Sequence, residues 1–337
     1  MLIYKRTSDI LQASGLSLDR TYYLLCGSFG DRYLIASMLH HLLEADPAAV
    51  ILVKEADREI ARIFLGPELS RCLFVAEATY GSLVQLCRDD PNSYMPGKRQ
   101  GLDATRDIPK GCIRSLHIVD YPYFAALNSN RLVRYQELLR LMMDLPAASE
   151  PRMPPFLEER DGDAAEEVLA AAGLRGQRNA IINPVVFSHK NIPLDIYTEI
   201  EAELLKRGFN VAFNVAQSYK PEIQQFLQAK SSRKALAIPA HLIKPVFDRV
   251  NLVIGVNGGA MGLADSFSCC HCFTLSTPAM YFPVLDRYPG NPLAYEAFRP
   301  LPRPSVERHL GWHLILTPND EARIPALFAQ FLEDLPS

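Results

Sequence analysis

The chain has 337 residues, 35 basic and 38 acidic side chains, a formal net charge of -3 and a sequence pI near 6.3. A single hydrophobic core stops growing at roughly 250 to 300 residues, so this length predicts two domains. The near-balanced charge excludes the basic surface that general nucleic-acid binding needs. It favours a small molecule or a particular macromolecular surface as the partner.

Seven cysteines are spread along the chain, mostly inside apolar runs, and their number is odd. This distribution favours buried thiols in a reducing compartment over a disulfide framework. No run of about 18 uncharged apolar residues occurs, and the residues after Met1 lack a long apolar core. We therefore expect a cytoplasmic protein with neither a secretion signal nor a transmembrane segment.

In the first half, short apolar runs alternate with longer amphipathic segments, which is the pattern of strands and crossover helices in a parallel sheet. The predicted strands are 21–26, 50–53, 72–75 and 115–119. The predicted helices are 31–45, 57–65, 79–88 and 130–145. The next residues, 146–163, combine proline and charge with little apolar periodicity, so they are predicted to be the domain linker.

The same alternation begins again in the second half. The predicted strands are 178–182, 210–214, 235–238, 251–255 and 271–275. The predicted helices are 194–207, 219–229, 240–249, 259–267 and a terminal helix that follows residue 319. The sequence therefore predicts an α/β protein with two Rossmann-like, doubly wound domains, 1–150 and 151–337, that face each other across a cleft.

Three predicted strand-to-helix turns carry residues suited to chemistry. They are GSFGD at 27–31, NPVVFSHKNIP at 183–193 and GVNGGAMGLA at 255–264. In open α/β sheets, ligands bind beyond the carboxyl ends of the strands, which is where all three turns are expected to lie.

The glycine-rich third turn is typical of a phosphate site. Gly258 and Gly259 would let a ligand approach the backbone, and the amides at the start of the following helix favour an anion. In the second turn, Lys190 can neutralise a diphosphate while Ser188 donates a hydrogen bond. The alternatives are a plain tight connection for the glycines and a solvated lysine for Lys190.

Together the turns resemble the glycosyltransferases of family nine, which include the ADP-heptose:lipopolysaccharide heptosyltransferases and have a GT-B fold. The family's Lys-x-Trp-Pro run is matched by KNIP at 190–193, with Ile192 in place of the tryptophan. Its Gly-Asn-Asp-Ser-Gly-Pro-Met-His-Leu-Ala run is matched at Gly255, Gly259, Met261, Leu263 and Ala264. Its Ser-x-Gly-Asp turn is matched at Ser28, Gly30 and Asp31.

The resemblance implies an inverting, metal-independent and cofactor-free glycosyltransferase of lipopolysaccharide or glycan biosynthesis. The donor would be a nucleotide-diphosphate sugar, and the acceptor a glycan, a glycolipid or a protein, with peripheral membrane contact left open. Asp31 would be the catalytic base, and the alternative role for it is a helix N-cap. Ser28 and Gly30 would lie on the acceptor side. The donor-binding residues implied are Ser188, Lys190, Glu222, Asn257, Gly258, Gly259 and Met261.

Two departures from the family pattern keep other functions open. Asn257 stands where the family has aspartate, and Gly262 where it has histidine. A non-catalytic interaction protein with a GT-B scaffold and a GT-B-shaped nucleotide-sugar epimerase therefore remain alternatives.

Two possible metal motifs are not favoured. The Asp161 and Asp163 pair has the Asp-x-Asp spacing of metal-dependent GT-A enzymes, but it lies in the predicted linker with no strand before it. In the CCHC run at 269–272, neighbouring side chains on a strand point to opposite faces. Buried strand thiols are therefore expected there instead of a metal site.

Overall fold

The structure is a computed structural model. It describes residues 9, 11–17, 19–25, 29–89, 113–115, 143, 145, 146, 149, 156–176, 178–184, 192–215, 221–256, 258–267, 270–276, 311–315 and 321–335. The chain divides into two compact units, Met1–Phe156 and Leu157–Ser337. The boundary expected from the sequence was residue 150.

The first unit contains a four-stranded parallel sheet. Its strands are β1 (Tyr22–Leu24), β2 (Val50–Lys54), β3 (Cys72–Val75) and β4 (Ile113–Ser115), in the spatial order β3-β2-β1-β4. Helices in the described part of this unit include α1 (Phe29–Ala45), α2 (Arg58–Leu65) and α3 (Glu77–Asp89). Leu24 and Leu52 from adjacent strands pack with Leu11 and with Leu83 of α3 in a buried cluster.

The second unit contains a six-stranded parallel sheet. Its strands are β5 (Asn179–Asn183), β6 (Asn210–Asn214), β7 (Lys234–Leu236), β8 (Leu252–Val256), β9 (His271–Ser276) and β10 (Gly311–Ile315). The described residues of this unit also form the helices α4 (Glu159–Ala171), α5 (Leu194–Lys206), α6 (Pro221–Gln228), α7 (Ile243–Phe247), α8 (Gly259–Phe267) and α9 (Ile324–Glu333). The spatial order is β10-β9-β8-β5-β6-β7. This is the doubly wound order, with the direction of winding reversed between β5 and β8.

The central strands of the second unit lie in its core, which explains why their sequences are mostly apolar. Every residue of β5 and of β8 is buried, as expected for central strands of a sheet that helices cover. The ring of Phe273 in β9 lies 5.0 Å from Phe328 and 5.1 Å from Phe331, between ring centroids. These aromatic contacts hold the terminal helix α9 on the sheet.

The linker prediction was wrong at its carboxyl end, because α4 begins at Glu159. Glu158 and Asp161 form a reciprocal capping box, in which the Asp161 carboxylate accepts a 2.8 Å hydrogen bond from the Glu158 backbone N–H. Acidic residues in a first helical turn also interact favourably with the helix dipole. The charged residues that predicted a linker therefore form the start of α4. The Asp161 and Asp163 pair, which has the Asp-x-Asp spacing, also lies inside this helix.

Strand β10 was not predicted, although an apolar run, WHLIL at 312–316, marks it in the sequence. Other elements begin or end within a few residues of their predicted limits. Helix 240–249 is a single 3-10 turn followed by the five-residue α7. Strand residues 116–119 and most of the predicted helix 130–145 lie outside the described residues.

Candidate functional site

The carboxyl edge of the second sheet, at the reversal between β5 and β8, is the candidate site. The two strands are adjacent and parallel, and Asn183 at the end of β5 is in register with Gly255. Beyond this point the chain leaves β5 toward α5 and leaves β8 toward α8. The direction of winding reverses between these two strands, and doubly wound sheets bind ligands beyond the carboxyl ends of the strands at such a reversal.

Helix α8 presents free backbone donors at this edge. It begins at Gly259, and the N–H of Gly262 donates to the carbonyl of Gly258 at 2.8 Å. Gly258 therefore holds the cap position, and the N–H groups of the residues before Gly262 have no acceptor within the helix. Gly258 and Gly259 are both partly exposed. This arrangement suits an anion at the helix N-terminus.

Gly255 has a different role from its neighbours. A Cβ at this position would lie 2.4 Å from the backbone oxygen of Asn183 and 2.8 Å from its Cβ. The absent side chain therefore makes room for the adjacent strand.

We expect Gly255→Ala to lower the free energy of unfolding of the second unit by about 3 kcal/mol, because the obstructing atoms belong to a backbone that cannot move aside. The single tryptophan, Trp312, lies in β10, so urea unfolding followed by its fluorescence reports on this unit. The control is Gly162→Ala in α4, where a Cβ meets only the end of the Arg249 side chain, at 2.7 Å. This variant should be unchanged or up to about 1 kcal/mol more stable. Equal stability of Gly255→Ala and the native protein would contradict the close contact.

Asparagine side chains connect the strand ends along the carboxyl edge. The amide nitrogen of Asn214 donates to Asn183 Oδ1 at 2.7 Å, and Asn183 Nδ2 donates to the Met261 sulfur at 3.6 Å. The backbone N–H of Ile238 donates to Asn214 Oδ1 at 3.4 Å. Asn183 opens the second predicted turn, at 183–193, but no role was predicted for its side chain, and Asn214 was not predicted as a site residue. A polar residue at the end of an apolar strand was the available signal.

The predicted donor-side residues are only partly described. Glu222 is the second residue of α6 and is exposed. Its side chain forms no hydrogen bond or ion pair with the described residues. The Met261 side chain is buried in α8 against Asn183, so only the Met261 backbone is placed to contact a ligand. Ser188, Lys190 and Asn257 lie outside the described residues.

The residues that open α5 explain one departure from the family pattern. Ile192, which replaces the family's tryptophan, is buried in the main core of the second unit. Tyr197, one turn into α5, is fully buried, and burial raises the pKa of its hydroxyl well above the usual range. Among the described residues this hydroxyl has no hydrogen-bond partner. Both side chains therefore pack α5 onto the sheet.

On the acceptor side, Asp31 is the third residue of α1, which begins at Phe29. Asp31 therefore lies inside the first turn of α1 and is not its N-cap residue, while Ser28 lies outside the described residues. Gly30 is part of the helix backbone. Further along α1, Ile35 and Met38 are buried.

Charged side chains that the sequence analysis did not identify surround the carboxyl edge of the first sheet. Arg32 forms an ion pair with Asp57, which follows β2. Lys54, at the end of β2, lies 2.9 Å from a carboxylate oxygen of Glu77 at the start of α3. Contacts of this kind fix the elements that flank α1.

A cleft of about 610 Å³ lies at the opposite, amino-terminal edge of the second sheet. Its lining includes Glu166, Glu167, Arg175 and Arg249, and Arg249 is already paired with Glu166 at 2.8 Å. Because it lies at the beginnings of the strands, this cleft is separate from the candidate site.

Three described cysteines are free thiols, of which Cys270 and Cys272 are buried and Cys72 is partly buried. The sulfur atoms of Cys270 and Cys272 are 4.0 Å apart and both residues are buried, whereas Cys269 lies outside the described residues. Burial raises the pKa of the Cys72 thiol to about 12. Within the described parts of the chain, no group of three or more His, Cys, Asp or Glu side chains is placed to hold a metal ion.

None of the described helices is long and apolar enough to cross a bilayer.

These features define a two-unit α/β protein whose second sheet is doubly wound and carries a candidate anion site at its carboxyl edge. Its fold resembles that of an ADP-heptose lipopolysaccharide heptosyltransferase II from E. coli, with a TM-score of 0.55 and 15% identity over 94% of this chain and 99% of that one. It also resembles a family 9 glycosyl transferase from Veillonella parvula, with a TM-score of 0.54 and 13% identity over 94% and 96% of the two chains. No protein-family model and no curated protein matches the sequence. The chain therefore shares the fold of these glycosyltransferases.

Proposed function

We propose that this protein is a glycosyltransferase that moves a sugar from a nucleotide-diphosphate donor to a hydroxyl of a glycan or glycolipid. The observation that carries the proposal is the partly exposed N-terminus of α8, opened by Gly258 and Gly259 at the reversal of the second sheet. The shared fold with two glycosyltransferases, over 94% of this chain, supports it.

In the proposed reaction, an acceptor hydroxyl oxygen attacks the anomeric carbon while the Asp31 carboxylate takes the hydroxyl proton. The bond between that carbon and the diphosphate oxygen breaks with inversion, and the diphosphate leaves with the bonding electrons. Lys190 and the N–H groups of Gly258 and Gly259 stabilise the charge that develops on the diphosphate. This scheme uses no metal or further cofactor.

The donor sugar is left open in this proposal. The similar E. coli protein is described as an ADP-heptose heptosyltransferase. In this chain, Gly262 is buried in α8 and supplies no side chain where the family pattern has histidine. We therefore propose a nucleotide-sugar donor without assigning heptose.

The first test is binding of ADP, GDP, UDP and CDP, measured as a rise in the midpoint temperature of unfolding. A ligand at 100 times its Kd stabilises the native state by about 2.7 kcal/mol. Lys190→Ala should weaken binding of the active diphosphate at least about tenfold, because a charge-assisted contact contributes about 1.5 to 3 kcal/mol. Lys206→Ala, at the other end of α5, is the control and should bind normally, since this side chain is 78% exposed. Absence of any thermal shift would favour a non-catalytic interaction protein.

A second test separates transfer from epimerisation. Free nucleoside diphosphate that appears only when an acceptor is present indicates transfer. A changed sugar that remains attached to the nucleotide would instead establish the epimerase alternative.

A further inference from the structure

The contacts along the carboxyl edge of the second sheet form one continuous series, here called the carboxyl-edge amide chain. It runs in spatial order from Ile238, two residues beyond β7, through Asn214 in β6 and Asn183 in β5 to Met261 in α8. Asn183 is 5% exposed and Asn214 is 8% exposed. Hydrogen bonds in such a dry environment are stronger than in water, and breaking one leaves a costly unpaired group.

A second series, the amino-edge amide chain, lies at the other end of the same strands. The backbone N–H of Asn179 donates to Asn251 Oδ1 at 2.8 Å, and Asn210 Nδ2 donates to Asn179 Oδ1 at 3.4 Å. Asn179 is 4% exposed, which is close to the value for Asn183. Strand β5 therefore begins and ends with a buried, hydrogen-bonded asparagine. The two residues form a matched pair in which only Asn183 lies at the candidate site.

The carboxyl-edge amide chain ends on the helix whose N-terminus forms that site. Met261 is the third residue of α8, two positions after Gly259. Its thioether is a weak hydrogen-bond acceptor, so the Asn183 amide both contacts and packs against the first turn of α8. On its other side the same amide is held by Asn214. The Asn183 side chain thus connects β5 directly to the first turn of α8.

We propose that Asn183 is a positioning residue for the donor diphosphate. It holds the first turn of α8 so that the N–H groups of Gly258 and Gly259 keep the spacing that the diphosphate needs. The inference rests on the proposed function, since it concerns the same site. Asn183 acts through Met261 and α8 and is not itself required to touch the ligand.

The test compares Asn183→Ala with Asn179→Ala. Both variants should unfold at a lower temperature, because each removes a buried amide from β5. At a temperature where both are folded, the Kd for the diphosphate selected from ADP, GDP, UDP and CDP should rise about tenfold in Asn183→Ala. It should stay within about twofold in Asn179→Ala. Equal Kd values for the two variants would overturn the positioning role.

Met261→Leu provides a second variant that keeps the side-chain volume but removes the sulfur acceptor. Met261→Leu should raise the Kd for the selected diphosphate about threefold with little loss of stability. If Asn183→Ala fails to fold, this variant tests the positioning role instead. An unchanged Kd in Met261→Leu and in a folded Asn183→Ala, with normal binding by the native protein, overturns only the positioning role. Failure of the native protein to bind any of the four diphosphates overturns the proposed function as well.

Discussion

Arg233→Ala is expected to lower the free energy of unfolding of the second unit by about 3 to 5 kcal/mol. The Arg233 guanidinium is 2% exposed and pairs with Glu201 of α5, which is 5% exposed, at 2.9 Å. It also donates to the Thr198 hydroxyl at 2.9 Å and to the backbone carbonyl of Phe226 in α6, and it lies 3.7 Å from the centroid of the Phe226 ring. One side chain thus joins α5 and α6 next to β7. Its removal leaves Glu201 buried, and among the described residues its remaining partner is the exposed Lys230, at 3.2 Å.

Urea unfolding followed by Trp312 fluorescence measures this loss, since the tryptophan is in the same unit. The control is Lys206→Ala, whose 3.7 Å ion pair with Glu203 is at the surface and should contribute less than about 1 kcal/mol. The double variant Glu201→Leu, Arg233→Met should recover about half of the loss, because apolar side chains replace a buried ion pair without leaving a charge behind. A loss below 1 kcal/mol in Arg233→Ala would show that the ion pair is not buried in solution.

Asp31→Ala should reduce turnover about 10²- to 10⁴-fold while leaving the Kd for the nucleoside diphosphate within about threefold. Loss of a general base has an effect of this size when the groups that stabilise the developing charge are unchanged. Asp31 belongs to α1 of the first unit, whereas the proposed diphosphate site belongs to α8 of the second, so binding and proton transfer should separate. Turnover is measured as acceptor-dependent release of nucleoside diphosphate from the nucleotide sugar.

Asp31→Asn distinguishes a base from a structural residue. Asparagine keeps an oxygen that can accept a hydrogen bond near the start of α1, but it cannot take a proton. The variant should therefore be as stable as the native protein and as inactive as Asp31→Ala. Asp46→Asn, just beyond the other end of α1, should retain full activity, since the Asp46 carboxylate accepts a local hydrogen bond from Ala48 at 3.1 Å. Normal turnover in Asp31→Asn would reassign Asp31 to the stability of the helix.

Much of the fold could be predicted because its signals are local. Strand β6 and helix α8 begin and end at the predicted residues, since apolar runs and helical periodicity are properties of neighbouring side chains. Helix α4 was missed for an equally local reason: the acidic residues that cap it were read as linker composition. Strand β10 was missed although its apolar run is visible in the sequence.

By itself, the sequence determined the alternation of strands and helices and the glycine turn that opens α8. Only the tertiary structure decided what the buried polar groups bind. Asn183 contacts Asn214 across 31 positions of the chain and Met261 across 78, and Asn179 contacts Asn251 across 72. Such partners depend on which strands become neighbours in the sheet, and periodicity along the chain carries no information about that choice. For the same reason, Gly255 could be recognised as a glycine in a turn, but its need to accommodate Asn183 emerged only when β5 lay beside β8.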